Sequence, residues 1–270
     1  MLYPRIIPCL LVKGHGLVKT IKFKNPTYVG DPINAVRIFN EKEVDELIML
    51  DIDTSIEKKE PNYKMIETVA SECRMPLCYG GGIKTVQQIE RIINLGVEKV
   101  TLASAAFEDK ELVKRASDSM GSQSIVVVID VKKNGKRYEA YINSGQKRVH
   151  NDAAEVALRM AELGVGEIII NSIDNDGLMK GFDLRLVELI FTKLRIPITV
   201  LGGAGRLEDI AELFSAFGQI GASAGSLFTF KGQFRAVLIN YPNREEKQTL
   251  FRGFMKNADQ KSLENPLLLT

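Results

Sequence analysis

Glu46-Leu-Ile-Met-Leu-Asp-Ile-Asp53 returns as Glu167-Ile-Ile-Ile-Asn-Ser-Ile-Asp174, a shift of 121 (167 − 46). Arg74-Met-Pro-Leu-Cys-Tyr-Gly-Gly-Gly82 returns at the same shift as Arg195-Ile-Pro-Ile-Thr-Val-Leu-Gly-Gly203. Leu10-Leu11-Val12-Lys13 returns at a shift of 119 (129 − 10) as Ile129-Asp130-Val131-Lys132. Three segments repeated in one order at nearly one offset divide the chain into two similar halves, roughly 1–120 and 121–242, followed by a tail at 243–270. Self-similarity at a fixed offset is the signature of an architecture built from a duplicated unit.

Each half reads as four strand–helix units. Apolar runs of strand length lie at Ile6–Val12, Leu47–Ile52, Pro76–Tyr79 and Lys99–Ala103, and again at Ser124–Ile129, Glu167–Asn171, Pro197–Leu201 and Gln219–Ala224. The segments between them carry apolar residues at threefold and fourfold spacing, as in Val86, Ile89, Ile92 and Ile93 or Val156, Ala157, Met160 and Leu163, the pattern of one helix face. Near-continuous apolar strands are buried on both faces, which means a parallel sheet. Eight such units in residues 1–242 fit a single α/β domain, a closed (β/α)8 TIM barrel made of two half-barrels. A doubly wound open sheet is the competing architecture. It explains the twofold repeat less well, because a half-barrel is a natural unit to duplicate.

The chain has 270 residues, 45% of them hydrophobic and 26% charged, with 36 Lys+Arg against 34 Asp+Glu for a formal net charge of +2. That apolar content excludes disorder as the dominant state, and near-neutral charge without a long basic run argues against a nucleic-acid binder. Cys9, Cys73 and Cys78 are too few and too irregularly spaced for a disulfide framework. Two histidines, His15 and His150, cannot build a His-rich metal site, and neither a metal nor a cofactor is expected. His15 reads as a solvated loop residue. Cys9 reads as a small core residue, with no histidine placed to activate it as a nucleophile. No apolar run nears the roughly 20 residues of a membrane span, and Met1-Leu2-Tyr3-Pro4-Arg5 lacks a signal-peptide layout. A reducing cytoplasmic setting, away from membranes, is the expectation.

Two connections stand out. Lys13–Asp31 reads as a long loop with Gly14, Gly16, Lys19 and Lys22. Lys132–Asp152 contains a predicted hairpin, with Asn134-Gly135 as its turn and Tyr138–Ile142 as its second arm. Both follow equivalent strands, and in a barrel both sit over the C-terminal mouth, where active sites form. Around the same mouth come Gly80-Gly81-Gly82 and Gly202-Gly203-Ala204-Gly205, then Ala103-Ser104-Ala105-Ala106 and Ala224-Gly225-Ser226. Glycines admit an anion close to backbone N–H groups, and a hydroxyl residue at a helix start adds donors. One Gly-Gly alone reads as readily as a tight turn. The same arrangement in both halves points to two phosphate sites across the mouth, one at Gly81, Gly82 and Ser104, the other at Gly202, Gly203, Gly225 and Ser226.

These residues resemble a known family, the cyclase subunit of imidazole glycerol phosphate synthase of histidine biosynthesis. The likeness spans about residues 1–242. It rests on Arg5-Ile-Ile-Pro-Cys-Leu, Gly30-Asp31-Pro32, Asp45-Glu46-Leu47, Leu50-Asp51-Ile52, Gly80-Gly81-Gly82-Ile83, Gly121-Ser122-Gln123-Ser124, Gly166-Glu167-Ile168, Ser172-Ile173-Asp174-Asn175-Asp176-Gly177 and Gly202-Gly203-Ala204-Gly205. The resemblance implies a barrel docked to a glutaminase (glutamine amidotransferase) subunit, with ammonia crossing the barrel to a phosphorylated small molecule, a ribulosyl aminoimidazole carboxamide carrying two phosphates. It implies that Asp130 is one catalytic acid, that Lys19 is the mobile first-loop lysine, and that Asp176 and Gly177 join the phosphate-binding positions. It also implies that Arg5, Glu46, Lys99 and Glu167 form a charged ring gating ammonia at the barrel bottom. The plainer reading of those four charges is that they stabilise the bottom face.

Where the family has its other catalytic acid, this chain has Leu11, and the internal repeat alone makes Leu11 the partner of Asp130. Cyclisation and cleavage need one group to give a proton and another to take one, on opposite sides of the substrate. By the same resemblance, Ala103 replaces an amide, Leu178 a hydroxyl and Leu201 a serine. All of these changes run from polar to apolar. A branch of the family with Cys-Leu-Leu at this place is similar over the whole length, including Gly16-Leu17-Val18-Lys19-Thr20 and Val237-Leu238-Ile239-Asn240-Tyr241-Pro242. Its members resemble auxiliary subunits of lipopolysaccharide and other surface-polysaccharide synthesis, which pass ammonia to an N-acetyl sugar amidotransferase.

Three readings follow. In the first, the chain channels ammonia from a glutaminase for amidation of an N-acetyl sugar. In the second, it is a true cyclase (a lyase), with Asp130 assisted by Lys19 or a substrate group. In the third, it is a non-catalytic activator of the glutaminase. The tail is given a short amphipathic helix near Gln248–Met255 and no function.

Overall fold

The computed structural model describes residues 4–251. Strand β1 (Arg5–Lys13) runs on into a hairpin of β2 (Gly16–Ile21) and β3 (Lys24–Gly30), and β4 (Leu47–Asp51), β5 (Leu77–Gly80) and β6 (Lys99–Leu102) follow. The second half starts with β7 (Ile125–Asn134), which carries its own antiparallel arm of β8 (Arg137–Ile142) and β9 (Lys147–His150). Strands β10 (Glu167–Ser172), β11 (Ile198–Leu201) and β12 (Gly221–Ala224) complete it. The parallel strands β1, β4, β5, β6, β7, β10, β11 and β12 are hydrogen-bonded in that circular order, β12 pairing back onto β1. The sheet is therefore closed, a (β/α)8 barrel of two similar halves, and the open-sheet alternative falls.

Alternation along each strand sorts the side chains into two cores. On β1, Ile6, Leu10 and Val12 face the helices, while Ile7, Cys9 and Leu11 face the barrel axis with Ile48, Leu50, Cys78, Val126, Val128, Ile169 and Leu201. The helical layer is built from α1 (Pro32–Glu41), α2 (Tyr63–Glu72), α3 (Val86–Asn94), a short α4 (Ser104–Glu108), α5 (Lys110–Met120), α6 (Ala153–Glu162), α7 (Leu184–Phe191), α8 (Leu207–Phe217) and a short α9 (Ser226–Thr229). Local chemistry starts them. Asp31 caps α1 by accepting from Asn34 N with Pro32 at the first turn, and Thr85 with Gln88 forms a capping box on α3. The expected helix faces are in place: Ile89 and Ile92 are fully buried, as are Val156, Ala157 and Met160 or nearly so, whereas Leu163 is the C-cap of α6.

Three local expectations are corrected. Lys13–Asp31 is mostly the β2–β3 hairpin rather than a loop; its sequence mixes polar and apolar residues because β3 is exposed along most of its length. In the second arm, Asn134 pairs with Arg137, so the turn is Gly135-Lys136, with Gly135 at φ 59° taking the left-handed corner. Beyond the barrel, residues 244–251 are helical, starting earlier than Gln248 because Asn243 and Glu246 cap each other's backbone N–H. The rest of that expected helix lies outside the described residues. Tyr241 ties this end to the barrel bottom: its hydroxyl donates to Ile6 O at 2.8 Å and accepts from Asp45 N at 3.2 Å. Among the described residues no helix is long and apolar enough to cross a membrane.

Candidate functional site

At the bottom of the barrel, four charges from four strand starts close into a ring. Arg5 bonds Glu46 and, at 2.7 Å, Glu167. Lys99 Nζ reaches both carboxylates at 2.8 Å. Each acid thus has two cationic partners and each base two anionic ones, and Thr199 donates to Glu167 as well. Burial alone would raise the Glu167 carboxyl, but the charges and hydrogen bonds of Arg5 and Lys99 outweigh it and hold the group at about 2. Burial pulls Lys99 down, as does the nearby Arg5 charge, but the Glu167 and Glu46 carboxylates outweigh both and raise it. Paired this completely, buried charge is tolerated.

Above the ring the lumen is largely apolar, with Ile7, Ile48, Val126 and Ile169, then Cys9, Val128 and Leu201, interrupted by the buried hydroxyls of Thr101, bonded to Cys78, and Ser223. Burial pushes the Cys9 thiol up to about 11, leaving it protonated. Among the described residues no cluster of His, Cys, Asp or Glu is arranged to hold a metal ion, and His15 is exposed at the β1–β2 turn.

The mouth at the other end is one cavity. It brings together Lys19, Asp130, Asp176 and Gly177 with the paired glycine and serine motifs, from Gly81, Gly82 and Ser104 to Gly202, Gly203, Gly225 and Ser226. Asp130 stands on β7 where the arm leaves the barrel. Burial pushes its carboxyl up to about 7, against the Asn171 amide, which donates to Asp130 Oδ1 at 2.9 Å. The Asp176 charge adds to the rise. Leu11, on the equivalent strand, lines the same cavity with Ala103 and Leu201. Leu178 is not among the lining residues; its backbone N–H closes the turn onto Asn175 O at 3.1 Å.

The two arms cover the mouth crosswise. Lys19, on the arm of the first half, is buried, and its Nζ donates to Cys9 O at 2.6 Å while packing on Gly225 at the start of α9. Burial pulls its pKa down. The turn of the second arm reaches the first half: Asn143 N donates to Ser104 Oγ at 3.2 Å, at the start of α4, and the two side chains are 3.1 Å apart. The Asp176 carboxylate is engaged by the first arm, accepting from Thr20 Oγ1 at 2.8 Å and Phe23 N at 3.1 Å. Burial raises its pKa. The glycines also have packing duties. A Cβ on Gly81 would stand 2.6 Å from that of Asp51, and Gly82 N already donates to Ser55 Oγ at 3.2 Å.

Sequence reasoning missed Asn171 and Asn143. The signal for Asn171 was present: a lone amide directly after the three isoleucines of Glu167-Ile-Ile-Ile-Asn-Ser172, in register beside Asp130. Asn143 carried none, since its role comes from a turn with positive φ at Asn143, Ser144 and Gly145.

Known proteins resemble this chain over most of its length. The pattern described as "Histidine biosynthesis protein" matches residues 5–235. A Vibrio vulnificus protein, provisionally named imidazole glycerol phosphate synthase subunit hisF3, is 54% identical over 250 residues, covering 92% of this chain and 96% of its own. A Leptospira interrogans protein, provisionally named imidazole glycerol phosphate synthase subunit HisF, is 53% identical over 253 residues, 93% of this chain and 100% of its own. The imidazole glycerol phosphate synthase subunit HisF of Pyrococcus furiosus is 41% identical over 230 residues, 85% of this chain and 91% of its own.

Proposed function

Since the chain belongs to the histidine biosynthesis protein family, we propose that it is an ammonia-channelling barrel that works with a glutaminase. The observation that carries this reading is an asymmetry. The charged ring at the bottom is complete, whereas at the mouth the catalytic pair is reduced to Asp130 facing Leu11. Ammonia would pass between Arg5, Glu46, Lys99 and Glu167 by the parting of an ion pair, and the apolar lumen above would favour the neutral molecule over the ammonium ion. It would emerge beside Asp130 and Asn171, under the two arms.

The reading extends to the destination. A mouth with one proton carrier is poorly equipped for cyclisation with cleavage, and the ammonia acceptor we favour is an N-acetyl sugar on a partner amidotransferase in lipopolysaccharide or surface-polysaccharide synthesis. The two cradles, with the backbone of Gly81, Gly82, Gly177, Gly202, Gly203 and Gly225 and the hydroxyls of Ser104 and Ser226, would retain affinity for a phosphorylated ligand. Asp176 contributes to that site by holding the first arm, since its carboxylate can only accept hydrogen bonds. A second reading, a true cyclase, is favoured by one observation: Asp130 near 7 is well poised for proton transfer, and Lys19 stands within the same cavity as a second titratable group. The test is to mix the chain with a glutaminase subunit of the same synthase family and measure glutamate release, then supply either the aminoimidazole substrate or the sugar amidotransferase with its acceptor. Stimulated glutaminase with amidated sugar and no cyclised product supports the first reading. Cyclised product at an enzymatic rate selects the second.

A further inference from the structure

The twofold repeat breaks in one place. Ser104 opens α4 and Ser226 opens α9, a shift of 122 (226 − 104). In the first half α5 follows and buries Leu112, Val113 and Ala116 completely. At the same shift the second half has Phe234, Arg235 and Leu238, and no helix. It forms a small hairpin of β13 (Phe230–Lys231) and β14 (Ala236–Val237). A strap follows, whose Leu238 and Asn240 N–H groups donate to Thr229 O at 2.9 Å and Phe228 O at 3.0 Å. Apolar residues stand where the first half has its core, yet Phe234 is 88% exposed, Leu238 52% and Val237 51%. A contiguous apolar patch rimmed by polar groups marks an interaction site, whereas scattered single residues do not.

The hairpin joins the roof of the mouth. Arg235 Nη2 donates to Gly177 O at 3.2 Å. The tip of the first arm lies against the same glycine: a Cβ on Gly177 would stand 3.1 Å from the Cα of Ile21, which is itself exposed. Phe23 of that arm meets the second arm, its ring 3.3 Å from where a Cβ on Gly145 would stand. Hairpin and arm tips thus form one continuous strip along the rim, and its charge has one sign. Lys22, Lys24, Lys147, Lys231 and Arg235 are exposed, and none has an acidic partner among the described residues. Segments 13–30, 132–151 and 230–238 contain one acid, Glu139, which is buried against Arg148. None of the five cations lines the cavity, whose one cation among the described residues is Lys19. A small anion held inside the mouth therefore leaves them unused. A second copy of this chain would bring like charges together. Ile21, Val237 and Leu238 have no ring to stack on bases, and a bilayer pressed on this rim would close the mouth to any acceptor. What fits is a protein with an acidic surface and an apolar recess.

We propose that the hairpin at 230–238 and the tip of the first arm dock the enzyme that receives the ammonia, with Phe234 as the anchor and acidic residues of that enzyme facing Lys22, Lys24, Lys231 and Arg235. The proposal rests on the ammonia reading for the partner's role. Docking there seats the acceptor over the cavity and leaves the charged ring at the opposite end free for the glutaminase. Apolar side chains that a helix would have folded inward are kept for the partner.

The full chain is titrated calorimetrically into the purified N-acetyl sugar amidotransferase of the same organism, at about 0.1 M and about 1 M salt. The expected Kd is on the order of 1 μM at the lower salt. It should weaken markedly at the higher, where the screening length falls from about 10 Å to about 3 Å. Phe234→Ala should weaken binding about tenfold or more, as loss of an aromatic anchor does. Lys22→Glu combined with Lys231→Glu should do the same. Thermal melting and the stimulation of a glutaminase should stay at wild-type values in both variants. No binding by the wild type, or equal binding by all variants, overturns the proposal. So does finding that Phe234→Ala instead abolishes a dimer of this chain, or its binding to single-stranded RNA or to phosphatidylglycerol vesicles. The ammonia reading is judged apart, by the ratio of glutamate formed to sugar amidated. Variant-sensitive binding with amidation from free ammonia alone keeps the docking surface and removes the channel; tight coupling with variant-insensitive binding does the reverse.

Discussion

Leu11 and Asp130 occupy the same place on two equivalent strands. Each is the residue at which a barrel strand begins to pair with its own antiparallel arm, Leu11 with Val18 and Asp130 with Tyr141. Across the parallel sheet Leu11 adjoins Leu50, and Asp130 adjoins Asn171. One side of the mouth is thus apolar where the other is protic. The chain with added ammonium salt should therefore fail to cyclise the aminoimidazole substrate, measured by product absorbance or mass. Loss of one acid–base group costs about 10²–10⁴ in rate, and Leu11→Asp should recover a trace, held low by Ala103 and Leu201. Turnover by the unmodified chain at about 1 s⁻¹ or more would refute this.

Lys99 is the one ring member bonded at 2.8 Å to both Glu46 and Glu167 on its side of the opening. Lys99→Glu leaves three acids around Arg5. Removing one member of a buried ion pair typically costs about 3–5 kcal/mol, so variants must be compared at matched folded fraction. The ratio of glutamate formed to sugar amidated should then rise as ammonia escapes to solvent. An unchanged ratio means that the ring is structural and that ammonia takes another route.

The two buried carboxylates give opposite pH dependences. Asp130 is raised from 3.8 to about 7, so the folded chain binds a proton that the unfolded chain releases. Its contribution is present below about 3.8, is lost as pH rises through about 7, and is worth on the order of 2–4 kcal/mol. Glu167 is lowered from 4.5 to about 2. Its contribution is present above about 4.5 and is lost as pH falls through about 2. Asp130→Asn should accordingly melt above wild type near pH 8 and no higher near pH 4. A variant less stable than wild type at both values would show that the ionised acid is not strained.

Crystals grown in phosphate or sulfate should show density beside Gly82 and Ser104 and beside Gly203 and Ser226. Binding at the first place should displace Asn143 from Ser104. Empty cradles at high anion concentration would assign the glycines to turns and close packing alone.

The barrel was legible because its pattern is global. The offset between Glu46 and Glu167 and the apolar strand runs survive local noise, and all eight runs became strands. The arms were only half legible. Tyr138–Ile142 alternates behind an Asn-Gly turn, whereas Gly16–Ile21 is four-sixths buried and lacks a turn dipeptide of that kind. Leu11 was visible as a departure because the repeat supplies its counterpart. What stayed hidden depends on side-chain direction: the grip of Thr20 and Phe23 on Asp176, the Asn143–Ser104 bridge, and the hydrogen bond from Asn171 to Asp130.

The crossing of the arms has a consequence for how such a molecule can come into being. Lys19 from the first half lies on Gly225 of the second, and Asn143 from the second bonds Ser104 of the first. Neither half owns a finished pocket. While the chain is being synthesised, β1 has β2 and β4 beside it but lacks its other parallel neighbour until β12 has emerged, so the first arm waits for Asp176 and Gly225 to complete its contacts. A half expressed by itself would carry an unroofed cradle and an idle arm, each complementary to the other half. Two such halves meeting in solution could complete one another, which makes the pocket a property of the union rather than of either parent.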